Sequence, residues 1–180
     1  MLEVWNRMAK DAGFSGIYLV SAMTAGELDQ RDELFDAYYD FEPGYTLKKD
    51  MPHYEYFNYL VKYIFVKLFN KVSRRKLLEH KIRIETMYRR IEKRKLPEKV
   101  FPGTFPGWDN TPRRGIQGLC YNGASPELFE GHLSRLHEKY EGTEFIYINA
   151  WNEWGEGAYL EPDEENGFAY LQAVRNVFTI

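Results

Sequence analysis

The chain has 180 residues, 44% of them hydrophobic, which is enough for one domain with a real core and argues against wholesale disorder. A formal net charge of −3 hides an asymmetry: residues 62–95 carry 13 Lys and Arg against 3 Glu, while the rest carries 11 basic and 24 acidic side chains. A uniformly basic nucleic-acid binder is thereby excluded, and Cys120, the single cysteine, excludes an intrachain disulfide and any multi-cysteine zinc site.

Along the chain, Leu2, Trp5, Met8 and Ala9 fall on one face of a helix expected over 2–12, with Gly13 as its stop signal. Residues 15–21 (SGIYLVS) read as a buried strand and 22–29 as its loop. A second strand is expected over 34–41, halted by Glu42-Pro43-Gly44, with a helix over 31–38 as the alternative. Residues 54–96 form a basic helical stretch without Pro or Gly until Pro97, its apolar positions (Leu60, Ile64, Leu68; later Leu77, Ile82, Ile91) at helical intervals. Ser73 is a candidate cap for the second helix of a pair. A third strand is expected over 99–104, then a Pro/Gly-rich loop over 101–114. Ser125-Pro126-Glu127 starts a helix with a capping hydroxyl, a proline in the first turn and an acid near the dipole's positive end; it should run to about 140. Residues 144–150 (EFIYINA) are the clearest strand, followed by WNEWGEG over 151–157, an acidic loop, and a last helix over 167–178.

Long polar loops follow the strands and short turns precede them, the layout of an α/β barrel whose catalytic loops sit at strand C-termini. About four strands are legible where a full barrel needs eight. The expected fold class is therefore α/β, the C-terminal half of a (β/α)8 TIM-type barrel, as a single partial domain over 1–180 truncated at its N-terminus. Residues 54–96 are a helical insertion within it, and a small open α/β sheet is the rival. The missing N-terminal half or a partner chain would close the sheet. No apolar run approaches the ~20 residues of a membrane span, and no signal peptide is visible at Met1.

Glu153 and Glu156 follow the clearest strand, framed by Trp151, Asn152, Trp154 and two glycines. A turn on Gly155 would bring both carboxylates into one cleft. Two carboxylates suit glycosyl chemistry, one as proton donor and one as base or nucleophile. The neighbouring tryptophans would desolvate one acid and split the two roles. Solvated loop acids are the alternative. Upstream, Trp108 offers a stacking platform, Asp109 and Asn110 can bond sugar hydroxyls, and Arg113 can pair with a phosphate or with Asp109; a structural Asx turn is the alternative. Tyr159 joins the substrate-binding set. Glu42 and Tyr45 are weaker candidates, as is the acidic run from Glu161 to Glu165. His132 and His137 are five apart, the wrong spacing for one metal, so neither metal nor cofactor is expected. The basic stretch reads as a solvated face with its apolar residues docked on the barrel. The other reading is a peripheral membrane contact through residues 60–95, with Tyr63, Phe65, Leu68 and Phe69 in the interface.

With INAWNEWGEGAYLEPD (148–163) and FPGWDNTPRR (105–114) in hand, the chain resembles the WbsX-like glycosyltransferase family, which is related to glycoside hydrolase family 99. AGFSGIYLV, SPELFEGHL and GFAYLQAV support the match. The resemblance implies a (β/α)8 barrel acting in bacterial surface polysaccharide assembly, O-antigen or capsule, in the cytoplasm or at the inner face of the membrane. It implies an oligosaccharide or polysaccharide substrate with a nucleotide-sugar or lipid-linked glycan. By resemblance to endo-α-mannosidases, Glu153 is the base acting on a sugar 2-hydroxyl and Glu156 the general acid. Gly155 and Ala158 stand where those hydrolases generally have His and Thr, so hydrolysis is the alternative reaction, and a non-catalytic glycan-binding remnant of a barrel the alternative role.

Overall fold

In the computed structural model of the chain, which describes residues 1–24, 32–74, 81–115 and 118–178, helix α1 runs Leu2–Asp11. It ends in a Schellman arrangement: the Phe14 amide donates to the Ala9 carbonyl at 3.0 Å and the Gly13 amide to that of Lys10 at 3.0 Å. Trp5 and Met8, on its apolar stripe, are exposed.

Strand β1 (Val20–Met23) pairs in parallel with β2 (Ala37–Asp40), and β2 in parallel with β4 (Val100–Phe101). After Pro102 the same extended segment continues as β5 (Gly103–Thr104), which pairs in parallel with β8 (Tyr147–Ile148). Four parallel segments thus lie side by side in chain order, and the described strands do not close on themselves. Gly103 is where β5 passes closest to β2: a Cβ there would lie 1.8 Å from the Asp40 carbonyl oxygen. The first strand sits later than the expected 15–21. The Ile17 amide is taken by the Asn6 side chain at 3.1 Å and the Leu19 amide by Asp36 Oδ2 at 2.8 Å, so pairing starts only at Val20. The strand expected over 144–150 pairs only at Tyr147–Ile148, because its partner is equally short.

The basic stretch divides into two helices with different fates. Helix α2 (His53–Ser73) buries only Val66 and Asn70, and Ser73 is its last residue rather than the cap of the next helix, its hydroxyl donating to the Asn70 carbonyl at 3.2 Å. The next helix, α3 (Ile84–Lys93), follows a short strand, β3 (Lys81–Arg83), and buries Ile84, Met87, Tyr88 and Ile91. Leu77 lies outside the described residues. β3 pairs with β7 (Cys120–Asn122), a strand not anticipated, which also takes β6 (Trp108–Asp109) antiparallel. Helix α5 (Pro126–Lys139) starts where its signals lie, the Ser125 hydroxyl accepting from the Leu128 amide at 3.2 Å. It packs on α3 and on the last helix, α6 (Ala169–Phe178). The main core is α3 and α5, the latter through Phe129, Leu133 and Leu136, closing over Phe105 and Tyr121.

Two buried polar clusters tie these layers together. His132, on α5, is fully buried and stacked on Tyr88 at 3.9 Å; its Nε2 lies 2.8 Å from Thr104 Oγ1 and its Nδ1 2.8 Å from Glu92. Burial lowers the His132 pKa, favouring the neutral ring. The second cluster is centred on Arg94, just past α3. Its guanidinium bonds Asp40 and Thr46, meets Glu42 at 2.8 Å and Asp50 at 2.6 Å, and lies over the Tyr45 ring. Burial pushes Glu42 up to about 7 against the pull of Arg94 and of the Thr46 hydroxyl, and raises Asp40 as well.

Removing the guanidinium strands buried carboxylates, so Arg94→Met should cost about 3–5 kcal/mol in urea unfolding. A carboxyl whose folded pKa is raised binds more protons folded than unfolded. The stability it contributes is present below the unfolded pKa near 4.5 and is lost as pH rises to about 7. Wild type should therefore lose up to about 3 kcal/mol between pH 5 and 8 relative to Glu42→Gln, compared by urea midpoints at each pH.

Candidate functional site

The chain leaves β8 through Asn149, whose side-chain amide donates to the Glu42 carbonyl at 2.6 Å and so joins the ends of β2 and β8. The Trp151 carbonyl then accepts from the amides of Leu160 and Glu161, closing the segment into a loop. Inside it, β9 (Asn152–Glu153) pairs antiparallel with β10 (Ala158–Tyr159), Glu153 opposite Ala158 and Asn152 opposite Tyr159. A 3-10 turn over Trp154–Glu156 links them and ends on Gly157, at φ +59. The turn thus closes on Gly157 and not on Gly155, around which there is open space. A Cβ on Gly157 would be strained at that φ and would meet the Asp109 amide nitrogen at 2.8 Å, so glycine is what lets the hairpin lie on the upstream motif.

Glu153, Asn152 and Trp151 are exposed, and Glu156 is half-buried against Arg113, with which it forms an ion pair. Trp154 stacks on Tyr159 at 3.9 Å and donates from Nε1 to Glu161 at 2.7 Å. This corrects the aromatic frame expected from the sequence: Trp154 covers a tyrosine and bonds a third acid. Tyr159 is pushed up to about 12, first by burial and then by its bond to Asp163.

In the upstream motif, Asp109 Oδ1 accepts from the Thr111 amide at 2.9 Å and opens the short helix α4 (Thr111–Arg114), an Asx turn. Asn110 is buried and held to Leu119 by two bonds, its Oδ1 accepting from the Leu119 amide at 2.8 Å. Both residues are thus partly committed to backbone. Arg113 reaches across to Glu156 rather than to Asp109, which joins motifs 43 residues apart.

Two cavities flank Trp108. One, of about 410 Å³ and mostly apolar, is lined by Phe41, Leu47, Tyr59, Tyr63, Asn110 and Arg114 among others; the other, of about 320 Å³, by Asp109, Tyr159, Glu165, Asn166 and Tyr170. Trp108 and Tyr121 line both. The Tyr121 hydroxyl is buried and, among the described residues, without a hydrogen-bond partner; burial raises its pKa. Sequence reasoning missed Tyr121 because its strand is three residues long and carries no readable alternation. Arg94 was missed too, and His132 was weighed only as a metal ligand, since the partners of both lie far off in sequence. Among the described residues no group of three His, Cys, Asp or Glu is arranged to hold a metal.

A family model described as Glycosyltransferase WbsX matches residues 1–174. Two curated proteins from Xanthomonas campestris pv. campestris, one of them from strain B100 and both described as uncharacterized protein WxcX, are 32% identical over 181 and 186 residues. Each match covers 97% of this chain and 24% of the relative, so the chain spans about a quarter of the length of the curated relatives it matches. No solved structure matches.

If Gly157 lets the two motifs meet, Gly157→Ala should cost about 1–3 kcal/mol in urea unfolding, whereas Gly155→Ala, which meets nothing, should stay within about 0.5 kcal/mol of wild type.

Proposed function

We propose an activity from one premise: the chain belongs to the WbsX glycosyltransferase family. We read the protein as a carbohydrate-active enzyme of bacterial surface polysaccharide biosynthesis, of O-antigen or capsule type, that transfers a sugar onto a glycan. The observation that carries this reading is the meeting of the two motifs. A hairpin bearing Glu153 and Glu156 lies on Asp109 and pairs with Arg113, and its Gly157 and Tyr159, though neither glutamate, help line the 320 Å³ cavity walled by Trp108 and Tyr121. The chain would be the C-terminal half of a (β/α)8 barrel. Its four parallel segments follow one another in chain order, and the hairpin comes after the C-terminal end of the last, where barrel enzymes hold their reacting groups.

In this reading Glu153 is the base at a sugar hydroxyl and Glu156 the acid at the leaving oxygen. Arg113 holds a Glu156 oxygen in the free protein, so substrate must displace it. A displaced guanidinium can grip a phosphate, which suits a nucleotide-sugar or a lipid-linked donor used in the cytoplasm at the inner face of the membrane. Trp108 stacks on a ring, and the Tyr121 hydroxyl finds in a sugar the partner it lacks. Hydrolysis of the endo-α-mannosidase kind is the second reading. It is disfavoured by Gly155, where open space stands in place of the hydrolases' imidazole.

Wild type and variants incubated with mixed nucleotide-sugars and mannose-containing oligosaccharides, followed by product masses, test both. Growth by one sugar supports transfer, and shortened oligosaccharides support hydrolysis. Glu153→Gln and Glu156→Gln should each lower turnover about 10²–10⁴-fold with an unchanged circular dichroism spectrum, and a near-wild-type rate in either removes it from the site. Tyr121→Phe should lower kcat/KM roughly 3–10-fold, the loss of one neutral hydrogen bond.

A further inference from the structure

Helix α2 has two apolar faces, and only one is packed. Val66 and Asn70 are buried on the inner side, where Tyr59 and Tyr63 line the 410 Å³ cavity. On the opposite side Phe57, Val61, Ile64, Phe65, Leu68 and Val72 are exposed, Val72 by 84% and Phe57 by 65%. At 3.6 residues per turn these six fall on one stripe along a 21-residue helix about 30 Å long. Lys62 lies along one edge of the stripe and Lys67 and Lys71 along the other, and Arg74 follows the last turn. The helix's one acid, Glu55, is on the inner side in an ion pair with Arg90.

A contiguous apolar stripe of this length on a protein surface marks a contact. The chemistry of its borders says with what. Lysines along both edges and no acid on the outward face match an anionic headgroup layer, in which the ammonium groups reach up while the apolar side chains enter the acyl boundary. Within α2 itself, three lysines, Lys62, Lys67 and Lys71, stand against the single acid Glu55. Among the described residues no helix is long and apolar enough to cross a membrane, so the contact that fits α2 is in the plane of the interface.

We infer that the outward face of α2 is a membrane-docking surface that seats the protein on an anionic bilayer. The inner face of the same helix walls the candidate site's cavity, so docking holds that cavity about one helix diameter, roughly 10 Å, from the acyl boundary. This placement rests on the glycan-transfer reading and deepens it: the substrate is then a lipid-linked glycan met at the membrane surface.

Vesicle flotation of the full-length protein tests the surface without using catalysis. Wild type should float with phosphatidylcholine vesicles containing about 30% phosphatidylglycerol, at least roughly tenfold more than with phosphatidylcholine alone, and lose much of that preference at about 0.5 M salt. Ile64→Glu/Leu68→Glu should stay at the bottom of the gradient with an unchanged circular dichroism spectrum, and Lys62→Glu/Lys71→Glu should lose about tenfold or more of the anionic binding. Glu153→Gln should float like wild type, which separates failure of the surface from failure of the catalytic assignment. The proposal is overturned if wild type remains at the bottom with both vesicle types. It is equally overturned if wild type sediments as a dimer that Ile64→Glu/Leu68→Glu makes monomeric, since a second copy then covers the stripe.

Discussion

The burial of one guanidinium, that of Arg94, among three carboxylates is the constraint on which the rest of this structure depends. An arginine taken out of water needs several partners to offset its desolvation. Arg94 finds them in Asp40 at the end of β2, in Glu42 just after it and in Asp50, the last residue of the short helical segment Thr46–Asp50. Its own carbonyl accepts from Tyr140 at 2.8 Å and from Lys139, so α3, α5 and β2 meet at one residue. The Glu42 carbonyl then holds Asn149, and Asn149 leads into the hairpin that carries the two candidate glutamates. The hairpin is thus registered against the sheet through a buried charge cluster.

That arrangement explains how two short motifs form one site. Each lies on a loop, and loops keep a shape only when something rigid holds them. The upstream motif is braced from within, by Asp109 on Thr111 and by Asn110 on Leu119. The downstream motif is braced by its own two-strand pairing and by Trp154 on Tyr159. Between them stand a glycine contact and an ion pair, Gly157 on Asp109 and Arg113 on Glu156. Several residues whose types suggested sugar binding therefore hold the loops in shape, and among the described residues that line the two cavities Tyr121, from a strand between the two motifs, has the buried group with an unmet hydrogen-bonding need.

Helix α2 shows why composition misleads about burial. Its helical form was readable, yet Leu60, Ile64 and Leu68, expected to dock inward, are on the exposed side, and Val66 is inside. Apolar residues occur nearly all round this helix, so periodicity distinguishes no face. On α3 they occupy one stripe, and that stripe is the core.

Local chemistry determined the features that depend only on neighbours in sequence. The Schellman end at Gly13 and the Ser125 cap could be read directly, because the groups that satisfy the helix ends lie within a few residues. The two motifs and the family they point to were legible for a similar reason, since each motif is continuous. Tertiary structure alone decided that Arg113 faces Glu156, that the hairpin turns on Gly157, that Trp154 is spent on Tyr159, and that His132 and Arg94 are buried hubs. The Arg113–Glu156 pair and the two hubs join residues brought together only by packing, while the Gly157 turn and the Trp154–Tyr159 stack are set by how the short hairpin folds. A charge or a ring takes whichever partner the surrounding layers bring within reach, and residue type and spacing do not say which partner that will be.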